Sequence, residues 1–265
     1  MLKKRLDILL VEKKLYTSRQ QAQRCIRAGE VKINQRIIDK PGTEIDIKAK
    51  VEIKIKSPYV SRGGKKLEKA LKTFQISVVD RVCLDGGIST GGFSDCLLQS
   101  GARLIYGVDV GYGQVAWSLR QDERIFLKER TNFRYLKPEI LYDRNIRASL
   151  GVVDVSFISL AKILEPLSEL LVSPKEVILL IKPQFEVGRS KIGKNGVVRN
   201  FKDHCEVISR VLQISYHLGW LYCGLTHSPI KGPAGNTEYL LWLRCDRGSQ
   251  NHSLSQVELI CSQHL

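Results

Sequence analysis

Two spacings of apolar residues divide the first 56 residues of the chain. Over residues 6–15 leucines recur at near-helical spacing, and Thr17 or Ser18 is a typical N-cap for a second helix that ends before Gly29. Over residues 31–55 apolar and polar residues alternate, which is typical of strands. The pattern therefore predicts two short helices followed by a small sheet.

Beyond Pro58, predicted strands and helices succeed one another. The predicted strands are 78–84, 103–108, 124–128, 149–154, 176–182, 220–226 and 238–245, and the predicted helices are 64–74, 92–100, 114–119, 157–171 and 201–218. This alternation is typical of a doubly wound α/β fold, in which helices cover both faces of a mostly parallel sheet. Only a Pro- and Gly-rich loop, 227–236, joins the last two strands, so we expect them to pair antiparallel.

The positive charge is concentrated at the amino-terminal end. The chain has 42 Lys and Arg against 27 Asp and Glu, a net charge of +15. Residues 1–56 hold 15 basic and seven acidic residues and so carry +8 of that charge. Such a surplus predicts a polyanionic partner, with nucleic acid ahead of an anionic membrane. The candidate RNA contacts are Arg5, Arg19, Arg24, Arg27 and Lys32.

Pattern and charge together predict four segments. They are a basic α+β module at 1–56, a linker at 57–61, an α/β domain at 62–245 and a polar tail at 246–265. A hydrophobic content of 43% is ample for the buried core of such a chain.

Cysteines and apolar runs argue against several classes of protein. The seven cysteines include no C-x-x-C pair, so we expect neither a disulfide framework nor a zinc ribbon, and no metal site. The aliphatic run 177–181 is far shorter than the ~20 residues of a membrane helix. The apolar stretch after Lys3 is broken by Asp7 and closed by Glu12, which argues against an export signal. We therefore expect a soluble, cytoplasmic protein without a membrane span.

A glycine-rich turn, Asp85–Phe93, lies between a predicted strand and a predicted helix, where backbone can approach a ligand. A phosphate-binding P-loop needs Gly-Lys-Ser/Thr, but Phe93 follows Gly92. No three glycines have the G-x-G-x-x-G spacing of a dinucleotide site. S-adenosylmethionine carries no phosphate, and its ribose favours a carboxylate such as Asp109 at the end of the next strand. It is the preferred ligand; the alternative is a purely structural turn.

Charged side chains also follow later strands. Asp154 ends one strand, Lys182 ends the next, and Glu238 begins the antiparallel last strand, so all three are expected at the carboxyl edge of the sheet. Lys66, on the helix before the first strand, can reach the same edge. Each residue alone is better interpreted as a surface ion pair, but their convergence favours a functional site.

Several runs together resemble the TlyA (hemolysin A) family. They are Tyr59–Leu67, Asp85–Asp95, Val153–Leu160, Lys182–Glu186 and Pro229–Glu238. That family joins a small RNA-binding module, shared with a small-subunit ribosomal protein and pseudouridine synthases, to an FtsJ-type ribose methyltransferase domain. The likeness covers residues 1 to about 245 and implies a seven-stranded sheet of the S-adenosylmethionine-dependent methyltransferase type.

The resemblance also implies site residues. The implied tetrad is Lys66, Asp154, Lys182 and Glu238, and the implied cofactor contacts are Asp85, Gly87, Ser89, Gly91, Phe93, Asp109, Asn132 and Asp154. Gly86 and Ile88 depart from the family pattern, and FtsJ-type enzymes often have an acid at the position of Asn132. In this hypothesis Lys182 takes the proton of a ribose hydroxyl, with its pKa depressed by burial and by Lys66, while the two acids orient the lysines.

Three functions follow as hypotheses. The leading one is S-adenosylmethionine-dependent methylation of ribose 2′-hydroxyls, on cytidine, in the ribosomal RNA of ribosomal subunits. The second is a non-catalytic RNA-binding assembly factor, against which the complete tetrad argues. The third, suggested by the family's hemolysin name, is a membrane-lytic protein; the sequence shows no export signal or membrane span to support it.

Overall fold

A computed structural model describes residues 2–53, 57–142 and 146–245. The predicted tail at 246–265 lies outside the described residues. Contacts within the chain divide it into two units, residues 1–57 and residues 58–265, and each unit is described by itself.

The first unit contains two helices and short strands. In chain order its elements are β1 (Lys3–Arg5), α1 (Leu6–Glu12), α2 (Arg19–Arg27), β2 (Val31–Ile33), β3 (Arg36–Ile37), β4 (Glu44–Asp46) and β5 (Val51–Ile53). Ser18 caps α2 by accepting a hydrogen bond from the Gln21 N–H at 3.2 Å, as the sequence predicts. Apolar residues of both helices and of β2 and β4 form one hydrophobic cluster.

The prediction of a single small sheet in this unit is wrong. Within residues 2–53, β1 pairs with β4, while β2 pairs with β3 and β5, which makes two sheets. β1 consists of Lys3, Lys4 and Arg5, which carry no apolar alternation. These residues form a strand because they pair with β4, and the sequence of β1 alone does not predict it.

The second unit is larger and alternates helices and strands. In chain order its elements are α3 (Gly63–Phe74), β6 (Val82–Gly86), α4 (Gly92–Gln99), β7 (Leu104–Val108), α5 (Trp117–Arg120), β8 (Ile125–Lys128), α6 (Pro138–Leu141), β9 (Leu150–Val153), α7 (Leu164–Leu170), β10 (Lys175–Ile181), α8 (Pro183–Glu186), α9 (Phe201–His217), β11 (Leu221–His227) and β12 (Tyr239–Cys245).

Within the described part of this unit, seven strands form one sheet in the order β11-β12-β10-β9-β6-β7-β8. β6 to β10 pair parallel, and β12 runs antiparallel to both β10 and β11. The predicted doubly wound sheet with an antiparallel last strand is confirmed. Because β6, β9 and β10 are parallel, the residues that follow them lie at one edge of the sheet.

Alternate side chains of β10 enter two separate hydrophobic clusters. Val177, Leu179 and Ile181 pack with residues of α7 and α9, whereas Ile178 and Leu180 pack with residues of α3 and α4. Successive side chains of a strand point to opposite faces, so the sheet is covered on both. No helix in the described ranges combines the length and apolar character needed to cross a membrane.

Two predicted elements begin later than the sequence pattern indicates. The strand predicted from residue 78 begins at Val82, because Asp80 adopts a φ of 58° in a turn just before it. The helix predicted from residue 114 begins only at Trp117. Val78 is buried although it precedes the strand. Because a buried apolar residue outside a strand looks like a strand residue in the sequence, the predicted strand starts too early.

The helix predicted over 157–171 is also wrong at its start. Phe157 has a φ of 64°, which ends any helical path there. Ser159 then caps a short 3₁₀ turn, Leu160–Lys162, and the α-helix α7 follows. The residues after β9 therefore form a loop at the carboxyl edge of the sheet.

Candidate functional site

The turn between β6 and α4 brings backbone close to a cleft. Gly87 has a φ of +84°, and an added Cβ would lie 2.7 Å from the carbonyl oxygen of Asp154. Gly91 has a φ of +95°, and a Cβ there would lie 2.3 Å from Leu119 Cδ1. Only glycine fits both positions, so the turn presents backbone to a ligand.

Asp109, the first residue after β7, is held by the backbone of two loops. Its Oδ2 accepts a hydrogen bond from the Ser89 N–H at 2.8 Å, and its Oδ1 accepts one from the Gly111 N–H at 2.7 Å. Each carboxylate oxygen has a second lone pair. Asp109 is therefore fixed in direction and can still accept hydrogen bonds from ligand hydroxyls.

A cleft of about 560 Å³ lies beside this turn. Its polar lining includes Gly87, Ser89, Asp109, Gln114, Thr131, Asn132, Asp154 and Ser156, and its apolar lining includes Val108, Val110, Phe133, Phe157, Ile158 and Ile163. A large apolar wall with a few convergent polar groups suits a small organic ligand with a flat ring and hydroxyls. Asn132 also accepts a hydrogen bond from the Arg134 N–H at 3.0 Å, which caps a 3₁₀ turn.

A second cleft, of about 200 Å³, adjoins the first. The two share Gly87, Ser89 and Asp154 in their linings. The smaller cleft adds Lys66 of α3 and Lys231 of the loop before β12. Asp154 thus stands between a cleft suited to a nucleoside-like ligand and one lined by cations.

Lys66 and Glu238 form a buried ion pair at the smaller cleft. Lys66 Nζ lies 2.6 Å from Glu238 Oε2, and the two side chains are 10% and 1% exposed. Glu238 Oε1 has no hydrogen-bond partner among the described residues. A Cβ at Gly232 would lie 2.5 Å from this oxygen, so a larger residue there would displace the Glu238 carboxylate. The pair holds a fixed positive charge beside the cleft.

Lys182 forms a second pair, with Asp154. Its Nζ lies 2.5 Å from Asp154 Oδ1 and 2.8 Å from Ser156 Oγ, and its side chain is 11% exposed. The expectation that Lys182 would sit near both acids is refined here, since Glu238 is paired with Lys66. The four charged residues form two lysine–carboxylate pairs.

Phe157 presents its ring at the larger cleft. The side chain is 90% exposed, and its ring centroid lies 4.9 Å from that of Phe185 in α8. A bulky residue in the left-handed region is strained, and strain of this kind concentrates at functional sites.

Asp85 lies under the glycine-rich turn and is fully buried. Its Oδ2 accepts a hydrogen bond from the Ser94 hydroxyl at 2.7 Å, while Oδ1 has no hydrogen-bond partner among the described residues. Burial raises the pKa of Asp85 to about 7, the Ser94 hydrogen bond lowers it, and the Asp154 carboxylate adds to the rise. Through this hydrogen bond Asp85 of β6 connects the two ends of the glycine-rich turn, because Ser94 lies in α4.

The first unit holds a different ionic cluster, around Asp7 of α1. The Asp7 carboxylate is fully buried and accepts hydrogen bonds from Arg5, Arg19 and Gln23 at 2.7 to 3.2 Å. Burial alone would raise the pKa of Asp7, but these donors outweigh it and hold the pKa well below its usual range. The two arginine side chains are 45% and 54% exposed, so the cluster keeps cations at the surface.

Two family models match separate parts of the chain. Residues 59–245, more than half of the chain, match the FtsJ-like methyltransferase model. The chain belongs to the FtsJ-like methyltransferase family. Residues 4–51 match the S4 domain model. The family match spans both clefts and both lysine–carboxylate pairs.

Relatives from several bacteria match nearly the whole chain. It is 48% identical to YqxC of Bacillus subtilis, provisionally named an rRNA methyltransferase, over 97% of this chain and 92% of that protein. It is 44% identical to the 16S/23S rRNA (cytidine-2′-O)-methyltransferase TlyA of Mycobacterium tuberculosis, over 91% and 89%. A solved structure from Streptococcus thermophilus, provisionally described as a hemolysin, matches with a TM-score of 0.74 and 43% identity over 99% and 96%. The resemblance to the TlyA (hemolysin A) family is confirmed.

The structure places the site residues predicted from the sequence in different parts of the molecule. Gly87, Ser89, Asp109, Asn132 and Asp154 line the larger cleft, and Lys66 and Phe93 line the smaller one. Asp85 and Gly91 shape the turn, while Lys182 and Glu238 reach the clefts through their ion-pair partners. The predicted RNA contacts Arg24, Arg27 and Lys32 are exposed in the first unit.

Sequence reasoning missed part of both linings. At the smaller cleft these residues are Ser61, Arg62, Gly63, Thr90, Ile230, Lys231 and Pro233, and at the larger cleft they include Gln114, Thr131, Ser156 and Phe157. Ser156 and Phe157 lie two and three residues after Asp154, so their position just beyond a strand end was a usable signal. Lys231 lies in a long loop, where the spacing of residues does not predict which way a side chain points.

Proposed function

We propose that the protein transfers a methyl group from S-adenosylmethionine to the ribose 2′-hydroxyl of a cytidine in ribosomal RNA. The observation that carries this proposal is the Lys182–Asp154 pair, whose carboxylate lines both clefts. It puts a group able to accept a proton beside a cleft suited to a nucleoside. The family match and the Mycobacterium tuberculosis relative, named for rRNA cytidine 2′-O-methylation, support the same reaction.

The larger cleft suits S-adenosylmethionine through the chemistry of its lining. Asp109 would accept from the ribose hydroxyls, the backbone at Gly87 and Ser89 would bind the amino-acid part, and Asn132 with the apolar wall would hold the adenine; all of these residues line the cleft. When bound, the cofactor supplies a methyl group on a positively charged sulfur. The Gly87 turn needs no phosphate on the ligand, which separates this site from a dinucleotide site.

Two lysines divide the work on the acceptor hydroxyl. A ribose hydroxyl is a poor nucleophile, so it needs a base or a cation that stabilises developing negative charge. Lys182, oriented by Asp154, is the proposed acceptor of the proton. Lys66, fixed by Glu238, supplies the positive charge beside the acceptor oxygen.

The RNA contacts proposed here come from both units. Arg62 and Lys231 line the smaller cleft with Lys66, and their charge suits backbone phosphate. The exposed ring of Phe157 suits stacking against an unpaired base. In the first unit, which matches the S4 domain, Arg5, Arg19, Arg24, Arg27 and Lys32 are the proposed contacts. The substrate is ribosomal RNA within ribosomal subunits, in the cytoplasm.

A methyl-transfer assay tests this proposal. Purified small and large ribosomal subunits lacking the modification are incubated with the protein and labelled S-adenosylmethionine, and the labelled nucleotide is identified by mass spectrometry. We expect label on the ribose of cytidine. Tight binding to subunits with no incorporation of label would instead support an assembly factor.

Calorimetry on the same preparation tests the cofactor separately. We expect saturable binding of S-adenosylmethionine and none of NAD. Replacing Asp109 by Ala should weaken that binding because the ribose loses its acceptor. Saturable NAD binding without S-adenosylmethionine binding would contradict the assignment of the larger cleft.

A further inference from the structure

Ser156 contacts the amine that the proposed reaction uses. Its Oγ lies 2.8 Å from Lys182 Nζ. Ser156 also lines the larger cleft. Asp154 Oδ1 lies 2.5 Å from the same nitrogen. Lys182 therefore has two oxygen partners from the segment that follows β9, one charged and one neutral.

These two partners fix the direction of the third position on the nitrogen. A neutral amine carries two N–H bonds and one lone pair in a tetrahedral arrangement. Ser156 Oγ accepts an N–H from this nitrogen, whereas Asp154 Oδ1 has no hydrogen-bond partner among the described residues and contacts the amine as an ion pair. With one N–H directed at Ser156 and the lone pair repelled by the Asp154 carboxylate, the lone pair points along the remaining direction. If Asp154 is the only partner, the amine can rotate about the Cε–Nζ bond, and the lone pair can then occupy more than one staggered position.

We propose that Ser156 is a positioning residue that aims the Lys182 lone pair at the acceptor hydroxyl. The inference rests on the proposed function, in which Lys182 takes that proton. In the step, the hydroxyl O–H bond breaks and its proton forms a third N–H bond on Nζ. The oxygen forms a bond to the methyl carbon as the C–S bond breaks, and that electron pair stays on sulfur.

Ser156 is suited to this task because it is neutral and not part of the core. It is exposed, whereas Asp154 is needed to balance the charge of the ammonium form. Among the described residues, Asp154 is the carboxylate paired with Lys182. The other charged groups named for this site are Glu186 on α8, Asp85 before the glycine-rich turn, and the Lys66–Glu238 pair. Replacing Ser156 changes the charge of none of them.

Loss of the hydroxyl has two separable effects. The lone pair loses its preferred direction, which should lower the single-turnover rate by about 3- to 30-fold. The Ser156 oxygen also accepts from the ammonium form and so favours it. Its removal should therefore shift the acid limb of the pH–rate profile to lower pH, a change that a merely structural role would not produce.

Ser159 offers a matched control in the same loop. Its hydroxyl donates to Glu186 Oε2 at 2.7 Å and its oxygen caps the 3₁₀ turn, so it supports the loop without contacting Lys182 in the described structure. Ser159→Ala should lower the melting temperature and leave the position of the pH–rate profile unchanged.

The experiment measures single-turnover methylation of ribosomal subunits from pH 6 to 10 in the full-length protein. The variants are Ser156→Ala, Ser156→Thr, Ser159→Ala and Lys182→Ala, each with its cofactor affinity and melting temperature. We expect Ser156→Ala to have a lower maximal single-turnover rate and an acid limb of the pH–rate profile at lower pH, with unchanged cofactor affinity. Ser156→Thr should restore both the rate and the position of the limb.

Two results would overturn the inference. One is an unchanged rate and profile for Ser156→Ala while Lys182→Ala is inactive. The other is an equal loss in Ser156→Ala and Ser156→Thr that follows the melting temperature, since this indicates a structural role. A near-normal rate in folded Lys182→Ala would overturn the proposed role of Lys182 itself, and so separates the two failures.

Discussion

Among the described residues, each unit has one Asp side chain that is fully buried, and the pKa values of these two carboxyl groups shift in opposite directions. Asp7 and Asp85 are both 0% exposed. The pKa of Asp7 is held well below its usual range by Arg5, Arg19 and Gln23, although burial opposes this. The pKa of Asp85 rises to about 7, because burial outweighs the hydrogen bonds from Ser94 that lower it and the Asp154 carboxylate adds to the rise.

Burial raises the pKa of both acids, and the difference shows that the donors around each acid decide whether that effect is outweighed. In the first unit a buried anion organises cations that remain half exposed, which suits contact with a polyanion. In the second unit the lysines themselves are buried against carboxylates, at 10% and 11% exposure. Cations placed inside a cleft can handle a proton, whereas cations on a surface attract phosphate.

The largest expected effect comes from Lys182→Ala. If buried pairing in the second unit serves chemistry, loss of the base should lower the single-turnover rate by about 10²- to 10⁴-fold. Cofactor affinity should survive, because Asp109 and the glycine-rich turn do not depend on this amine. Lys175→Ala, at the opposite end of β10, is the matched control and should keep a near-parental rate. A folded, cofactor-binding Lys182→Ala variant with a near-normal rate would leave Lys66 as the remaining candidate base.

Asp85→Asn should change the pH dependence of stability in the second unit. The unfolded chain releases the Asp85 proton near pH 3.8 and the folded chain only near 7, so between these values folding becomes less favourable as the pH rises. Asn has no such titration. Relative to the parent, the variant should therefore gain up to about 4 kcal/mol between pH 4 and pH 7, at about 1.36 kcal/mol per pKa unit.

Urea unfolding followed by Trp fluorescence measures this effect, because Trp117, Trp220 and Trp242 all lie in the second unit. Asp80→Asn, at a carboxylate that is 77% exposed, is the control and should track the parent. Parallel pH profiles for Asp85→Asn and the parent would show that Asp85 is ionised in the folded protein near neutral pH.

Asp7→Asn should give the opposite pattern in the first unit. A carboxyl with a lowered folded pKa stabilises the fold above its unfolded pKa, and this contribution is lost as the pH falls through the folded value. We expect a loss of about 1–2 kcal/mol at pH 7, limited because the arginines can be hydrated. The difference from the parent should shrink below pH 4. Hydrogen exchange of the α1 and α2 amides reports this unit separately; an unchanged difference at low pH would contradict the ionic explanation.

The same contrast explains what the sequence could predict. Continuous apolar runs such as 177–181 predict strands because helices on both faces of the sheet bury them, and the residues that follow such runs mark the edge of the sheet. Pairing between charges does not follow from spacing: Lys66 and Glu238 are 172 residues apart, and only the fold joins them. The positive φ of Phe157 and the strand at Lys3–Arg5 have no apolar pattern, so the sequence gives no sign of either.

The smallest expected effect concerns the exposed arginines of α2. Arg24 and Arg27 are exposed and, among the described residues, form no ion pair, unlike Arg5 and Arg19, which Asp7 holds. If they contact phosphate, replacing either by Ala should weaken RNA binding by about 3- to 10-fold and reduce the slope of log affinity against log salt by about 0.7 to 0.9. Lys72→Ala removes the same charge from α3 of the second unit, where Glu68 pairs with it, and should leave the slope unchanged. Filter binding to one rRNA fragment across a salt series measures both. Equal salt slopes for Arg24→Ala, Arg27→Ala and the parent would move the phosphate contacts to the Asp7-held arginines or to the cations of the smaller cleft.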